Sequence, residues 1–220
     1  AKELPEGMKI IVRGPDGVLE NVINLTGFDN LCYMMADEPE LVEQIFNCVG
    51  SRMEKYYEIA SGFDAVGALV SNDDWGFKTQ TMLSLNQMHK YVIPWHKRIV
   101  QSIKKTNKPV ILHSCGNLAK VMDDIIDDIG YDGKHSYEDA ILPVEEAYEL
   151  WGNRIAIIGG IDVDFLCRST PEEIFARSTA MLERTWDRGR YALGSGNSIP
   201  AYVPRENFLA MIAAARCFAR

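Results

Sequence analysis

The sequence predicts an α/β fold: a (β/α)8 barrel of which this chain forms the C-terminal five βα units, with a hairpin and a long helix before them. Three observations predict it. From about residue 62 onward, short apolar runs alternate with amphipathic stretches of helical period. The runs, at 65–70, 109–112, 131–135, 154–158 and 191–193, are too short for helices and too apolar for one-sided strands, as a parallel sheet covered on both faces requires. Polar residues then follow nearly every run, as they do in a barrel whose loops converge on one mouth. An open doubly wound sheet shares the alternation, but no Gly-rich phosphate loop follows the first run. A whole barrel takes about 250 residues, so the remaining three units are expected before this chain's first residue. No low-complexity linker interrupts the chain, and residues 1–220 read as a single domain.

Each element has its own reason. Residues 8–12 and 18–25, around Gly14-Pro15-Asp16-Gly17, read as a strand pair about a tight turn. Val42, Ile45, Phe46, Val49, Met53, Tyr57 and Ala60 recur at helical spacing and predict a helix over 38–60. Met88, Tyr91, Val92, Trp95, Ile99 and Ile103 predict another over 84–105, kinked at Pro94. Leu118, Val121, Met122, Ile125, Ile126 and Ile129 form one face of the next, with Asp123, Asp124, Asp127 and Asp128 on a solvated face opposite. Thr170-Pro171-Glu172-Glu173 is a capping box with proline at the first helical position; the helix continues through Ile174, Phe175, Met181, Leu182 and Trp186. Phe208, Met211, Ile212 and Ala215 place the last helix over 205–219.

Charge narrows the function. Lys and Arg number 23 against 31 Asp and Glu, a net charge of −8, which argues against nucleic acid or an anionic membrane and for a small-molecule substrate or a protein partner. No apolar run approaches the roughly 18 residues of a spanning helix, and the first residues lack a signal-peptide plan, so a cytoplasmic location is expected. Five widely spaced cysteines, an odd number, fit reduced thiols.

Chemistry-bearing residues gather at the strand ends. They are Asn72-Asp73-Asp74-Trp75, His113-Ser114-Cys115-Gly116, Lys134-His135-Ser136, Gly159-Gly160-Ile161-Asp162 and Gly194-Ser195-Gly196-Asn197-Ser198. His113 and Cys115 are two apart at a strand end, so imidazole and thiolate face the same way and both can reach one zinc ion; a rim histidine beside a buried thiol has the same spelling. Asp73 and Asp74 suit acid or base work, a hold on substrate or the orientation of a zinc-bound histidine, and equally a turn or helix cap. His135, beside Lys134, suits a proton carrier or a ligand. His89 and His96 lie inside a helix and are assigned no chemistry.

The ordered segments SNDDWGFKTQTMLS, ILHSCGN, IAIIGGID and ALGSGNSIPAYVPREN, with a Pro94-bearing helix between the first two, resemble the uroporphyrinogen decarboxylase superfamily over roughly residues 25–220. That superfamily includes corrinoid-dependent methyltransferases, and the resemblance implies the (β/α)8 barrel independently. In the methyltransferase branch an H-x-C pair and a later cysteine bind zinc, which activates a thiol as methyl acceptor. His113 and Cys115 match the pair, whereas Ser195 stands where the later cysteine would fall. His135, Glu138 or Cys167 are candidates for the rest of the ligand set. The decarboxylase branch uses no metal and holds tetrapyrrole acetates with basic residues, of which Lys134, Arg154 and Arg168 are a thin set; it also carries a histidine in the loop at 194–198.

The resemblance therefore implies a zinc-dependent methyltransferase working with a corrinoid, free or on a partner protein. Metal-free decarboxylation of a porphyrinogen is the alternative, and a non-catalytic corrinoid-binding barrel a second. Expected catalytic residues are Asp73, Asp74 and His135. Trp75, Lys134, Asp162, Asn197 and Ser198 are expected to bind substrate, and His113 and Cys115 the metal. A homodimer is compatible with this reading.

Overall fold

Six short parallel strands carry the fold in the computed structural model of the chain, which describes residues 3–218. β1 (Ile10–Arg13), β2 (Val66–Asn72) and β3 (Val110–His113) pair in that order, with Leu69 opposite Val110 and Asn72 opposite His113. β4 (Gly133–His135), β5 (Ala156–Ile158) and β6 (Tyr191–Ala192) pair likewise, with Lys134 opposite Ile157 and Ile158 opposite Ala192. The chain divides into two compact units between Asp132 and Gly133, and each set of three strands belongs to one of them.

In the first unit the expected hairpin is not formed. Only β1 is a strand, parallel to β2, and the segment after the turn is a helix, α1 (Val18–Thr26). The β-branched residues of 18–25 suggest a strand, but Val18, Leu19 and Val22 also make one helical face, and all three are fully buried. A carboxylate 54 residues away decides between the two: Asp73 accepts from the backbone N–H groups of Leu19 and Glu20, both at 2.9 Å, and so satisfies two orphan donors of the first turn. α2 (Phe28–Asp37) follows, a helix the sequence reading left unassigned, and then α3 (Pro39–Ser61), which matches the predicted long helix.

Leu69 and Leu112 of the strands and Val42, Phe46 and Tyr57 of α3 are all fully buried. Burial of each such side chain stabilises by roughly 1.5–3 kcal/mol. The Tyr57 hydroxyl stays satisfied by donating to the Val70 carbonyl at 3.0 Å. Gly50 lies where α3 meets Trp95, and a β-carbon there would come within 2.1 Å of the indole.

The segment predicted as one kinked helix over 84–105 is a short turn of helix α4 (Leu85–Gln87), a π-helical turn (Met88–Val92) and α5 (Ile93–Lys104). Pro94 has no N–H for the carbonyl one turn back, and the wider turn falls immediately before it. Residues 118–129 form a 3-10 turn (Ala119–Val121) and a second π-helical turn (Asp124–Ile129) closed by Gly130 at φ +83°. The apolar face is buried as expected. The aspartates opposite are not purely solvated: Asp124 meets His89 at 3.0 Å, and Asp128 pairs with Lys97.

In the second unit α6 (Val144–Trp151), α7 (Val163–Arg168), α8 (Pro171–Thr185) and α9 (Arg205–Phe218) accompany the strands. The predicted capping box is present: Thr170 Oγ1 accepts from Glu173 N–H, and Glu173 accepts in return from Thr170 N–H at 2.8 Å. Ile161, Leu166, Ile174, Val203 and Met211 form a core cluster here. Residue 219, expected in the last helix, lies outside the described residues. Among the described residues no helix is long and apolar enough to cross a membrane.

Candidate metal centre

β2 and β3 end side by side, and the Asp73 N–H donates to the His113 carbonyl at 2.9 Å. Successive side chains of a strand face opposite ways, and the contacts of residues 72–75 and 113–115 follow that alternation. Asn72 accepts from Arg13 at 2.8 Å and donates to Glu20 at 2.7 Å. Asp74 Oδ1 accepts from the Cys115 N–H at 2.8 Å. Asp73 and Trp75 face instead toward His96 of α5, and Ser114 is fully buried.

The outcome is a half-buried group of three unlike donors. Ligand atoms of Asp74, His113 and Cys115 all lie within 4.8 Å of one another, and His113 Nε2 is 3.9 Å from Cys115 Sγ. A tetrahedral zinc bound at about 2.0 to 2.3 Å sets its donors roughly 3.5 Å apart, so the spacing fits such an ion after small side-chain rotations. One imidazole, one thiolate and one carboxylate is also a donor set that zinc accepts. The structure thus brings His113 and Cys115 together as the sequence predicts, and Asp74, expected to act as acid or base, to hold substrate or to orient a zinc-bound histidine, lies beside them as a candidate third donor.

Asp73 is placed differently from its neighbour. It is fully buried, with one oxygen on Glu20 N–H and the other shared by Leu19 N–H and His96 Nε2, the latter at 2.8 Å. Every acceptor direction points into the protein, so Asp73 is a helix cap and tie, with no lone pair presented to a substrate. Trp75, expected to bind substrate, has no exposed surface; its ring meets His96 edge-on at 4.7 Å. Both departures follow from the alternation: positions 73 and 75 belong to the face that packs against α5.

Two further residues belong to this region: His96, assigned no chemistry from the sequence, and Glu20, not singled out there. His96 lies on the apolar stripe of α5 with Val92, Ile99 and Ile103, and is completely buried, with Nδ1 2.6 Å from the Tyr131 hydroxyl. A histidine at helical spacing among apolar residues was the available signal. Glu20 Oε2 accepts from Asn72 Nδ2 and, at 3.1 Å, from Gly17 N–H. Burial, and then the charges of Asp73, Asp74 and Asp16, push its carboxyl up to about 7. Nothing local marks Glu20, because its environment is assembled from β2.

The strand ends of the second unit look inward. Lys134 is buried, with Nζ donating to the Ser136 carbonyl at 2.5 Å over the ring of Tyr137. His135 Nε2 lies 3.1 Å from the Ser195 carbonyl; burial is the main reason that its imidazole is held below its ordinary value, and nearby Lys134 adds to it. Asp162 caps α7, accepting from Asp164 N–H at 2.6 Å and Phe165 N–H at 3.2 Å, while its other oxygen takes Asp139 N–H at 2.8 Å. Its carboxylate is therefore committed to backbone donors and not displayed for a substrate. Asn197 accepts from Ser198 N–H at 2.8 Å, and Ser198 is exposed.

Comparison with known proteins agrees with this architecture. The chain superposes over its whole length on a methyltransferase from Methanosarcina mazei, with a TM-score of 0.79 and 21% identity, and covers 61% of that protein. At that identity the likeness establishes the fold, and the coverage is what a portion of a (β/α)8 barrel would give. A uroporphyrinogen decarboxylase of Trichodesmium erythraeum (strain IMS101) is 26% identical over 187 residues, 82% of this chain and 48% of the relative. The methylcobamide:CoM methyltransferase MtbA of Methanosarcina acetivorans is 31% identical over 128 residues, 58% of this chain and 35% of the relative. The chain thus spans about half of the first relative's length and about a third of the second's. The sequence model of the family described as uroporphyrinogen decarboxylase (URO-D) matches residues 3–218, nearly the whole chain, and the protein belongs to that family.

Proposed function

We propose that this chain is one portion of a URO-D barrel and that it carries the metal-binding part of a methyltransferase, acting between a corrinoid and a small thiol or related acceptor. The observation that carries the reading is the convergence of Asp74, His113 and Cys115 within 4.8 Å on adjoining strand ends. The 31% identity to a methylcobamide:CoM methyltransferase supports it. When bound, zinc supplies Lewis acidity that lowers the pKa of an acceptor thiol or water.

The chain's own residues prepare that site. Thiolate and carboxylate bring two negative charges to a dication, with neutral His113 as third donor. The Cys115 N–H holds Asp74 in place, so its orientation is set before any ion arrives. Glu20 borders the site through Asn72, whose amide donates to it at 2.7 Å. The corrinoid, free or carried on a partner protein, is the methyl donor or acceptor in this reading.

The test is the metal content of protein purified without chelator, alongside His113→Ala, Cys115→Ala and Asp74→Ala. Near-stoichiometric zinc in the parent and its loss in all three variants is expected. Absence of metal from folded parent protein would sink the proposal. A second reading, metal-free decarboxylation of a porphyrinogen, has one observation in its favour: the match to the decarboxylase spans 187 residues and that to the methyltransferase 128. A chelator that abolishes activity excludes it.

A further inference from the structure

One buried cluster near the metal centre has no part in the chemistry described so far. Asp73, His96 and Tyr131 are joined through hydrogen-bond distances of 2.8 and 2.6 Å, and Asp73 and His96 have no exposed surface. A carboxylate only accepts, so Nε2 of His96 carries a hydrogen and donates to Asp73. Burial pushes the Tyr131 phenol well up, so its hydroxyl keeps its hydrogen. Nδ1 lies against that hydroxyl, with the Ser71 hydroxyl 3.5 Å away, so the ring is held from both sides.

Its position gives it a purpose beyond filling the core. Asp73 immediately precedes Asp74, and its carboxylate ties the end of β2 to the first turn of α1 and to α5. A backbone shift that let the Asp73 carboxylate find new donors would carry the adjoining Asp74 with it. The fit on the α1 side is close: a β-carbon on Gly17 would come within 2.0 Å of Asp73 Cγ. An apolar residue in place of His96 would leave a buried carboxylate short of a donor, and the loop would move to find one.

We infer that His96, held by Tyr131, is a positioning residue for the metal centre: it clamps Asp73 so that the adjoining Asp74 carboxylate is presented to an ion together with His113 and Cys115. The inference rests on the metal reading above. Loss of a group that orients a metal ligand costs about 10–100-fold in metal affinity, and that is the effect expected here.

Cobalt(II) is the probe, because its visible absorption reports ligand geometry and its thiolate charge-transfer band reports Cys115. The unsubstituted protein should bind it and show both. His96→Leu should weaken binding about tenfold or more and alter the visible spectrum. His96→Gln, whose amide nitrogen reaches Asp73 from nearly the place of Nε2, should recover most of the affinity. Ile99→Ala, on the same face of α5, should lower stability and leave cobalt binding unchanged. If His96→Leu does not fold, Gly17→Ala takes its place, since its methyl group displaces the same carboxylate. Folded His96→Leu, or Gly17→Ala in its stead, with parental affinity and spectrum would overturn the clamp, as would equal weakening by Ile99→Ala. Absence of cobalt binding by the parent protein would remove the metal centre itself, and the clamp with it.

Discussion

The strand ends of the two units use similar residues to opposite ends. At β2 and β3, Asp74, His113 and Cys115 turn toward one another and stay half-buried. At β4 to β6, Lys134, His135 and Asp162 turn toward backbone carbonyls and amides. The side chains of Asp74, His113 and Cys115 come close enough to share an ion, whereas the Asp162 carboxylate and the His135 ring hold loop and helix-end backbone. Convergence of unlike donor side chains, more than the presence of polar residues at a strand end, marks the candidate for chemistry.

The sharpest way to break this comparison is to delete one member of each group. His113→Ala or Cys115→Ala should abolish stoichiometric zinc binding, read by elemental analysis, with little change in the urea midpoint when parent and variant are compared metal-free, because neither side chain belongs to the buried core. Asp162→Ala should do the reverse. It removes a cap with three backbone donors and should lower stability by about 2 kcal/mol in urea unfolding while metal content is retained. Equal zinc loss in Asp162→Ala would show that the two groups are not functionally separate.

A smaller effect sharpens the same contrast. In metal-free protein, Glu20 has a folded pKa of about 7, above its unfolded value near 4.5. The folded state then holds the extra proton between those values, so stability falls as pH rises from about 4.5 through 7. Glu20→Gln should remove this slope, seen as a thermal midpoint that declines less over that window than the parent's. An unchanged slope would assign the titration to another group. Ser198→Ala, at an exposed position, should change stability by less than about 0.5 kcal/mol. If it raises the KM for an acceptor, the loop at 194–198 contacts substrate despite its inward neighbours.

Much of this was legible in the residues. The five expected strands and the helices expected at 38–60, from 170 through 186 and at 205–219 follow from apolar period and cap chemistry, which act within a few residues and need no partner. His113 and Cys115 were legible for the same reason, since a spacing of two at a strand end is itself a statement about direction. α1 was not, because Val18, Leu19 and Val22 suit strand or helix, and the choice belongs to Asp73. The same carboxylate separates Asp73 from Asp74. On paper they are adjacent and alike; in the fold one faces α5 and the other lies against His113 and Cys115.

The sequence by itself therefore determined the α/β class, the family, the strands and helices from β2 onward in outline, and the pairing of His113 with Cys115 at the end of β3. The tertiary structure alone decided which aspartate caps α1 and which joins His113 and Cys115, that Trp75 is core, and that Glu20 and His96 belong to the surroundings of that group. The physical reason is range. Period and capping are local, whereas burial, the charge around Glu20 and the hydrogen-bond partners of Asp73 come from segments tens of residues apart, brought together only when the strands pair.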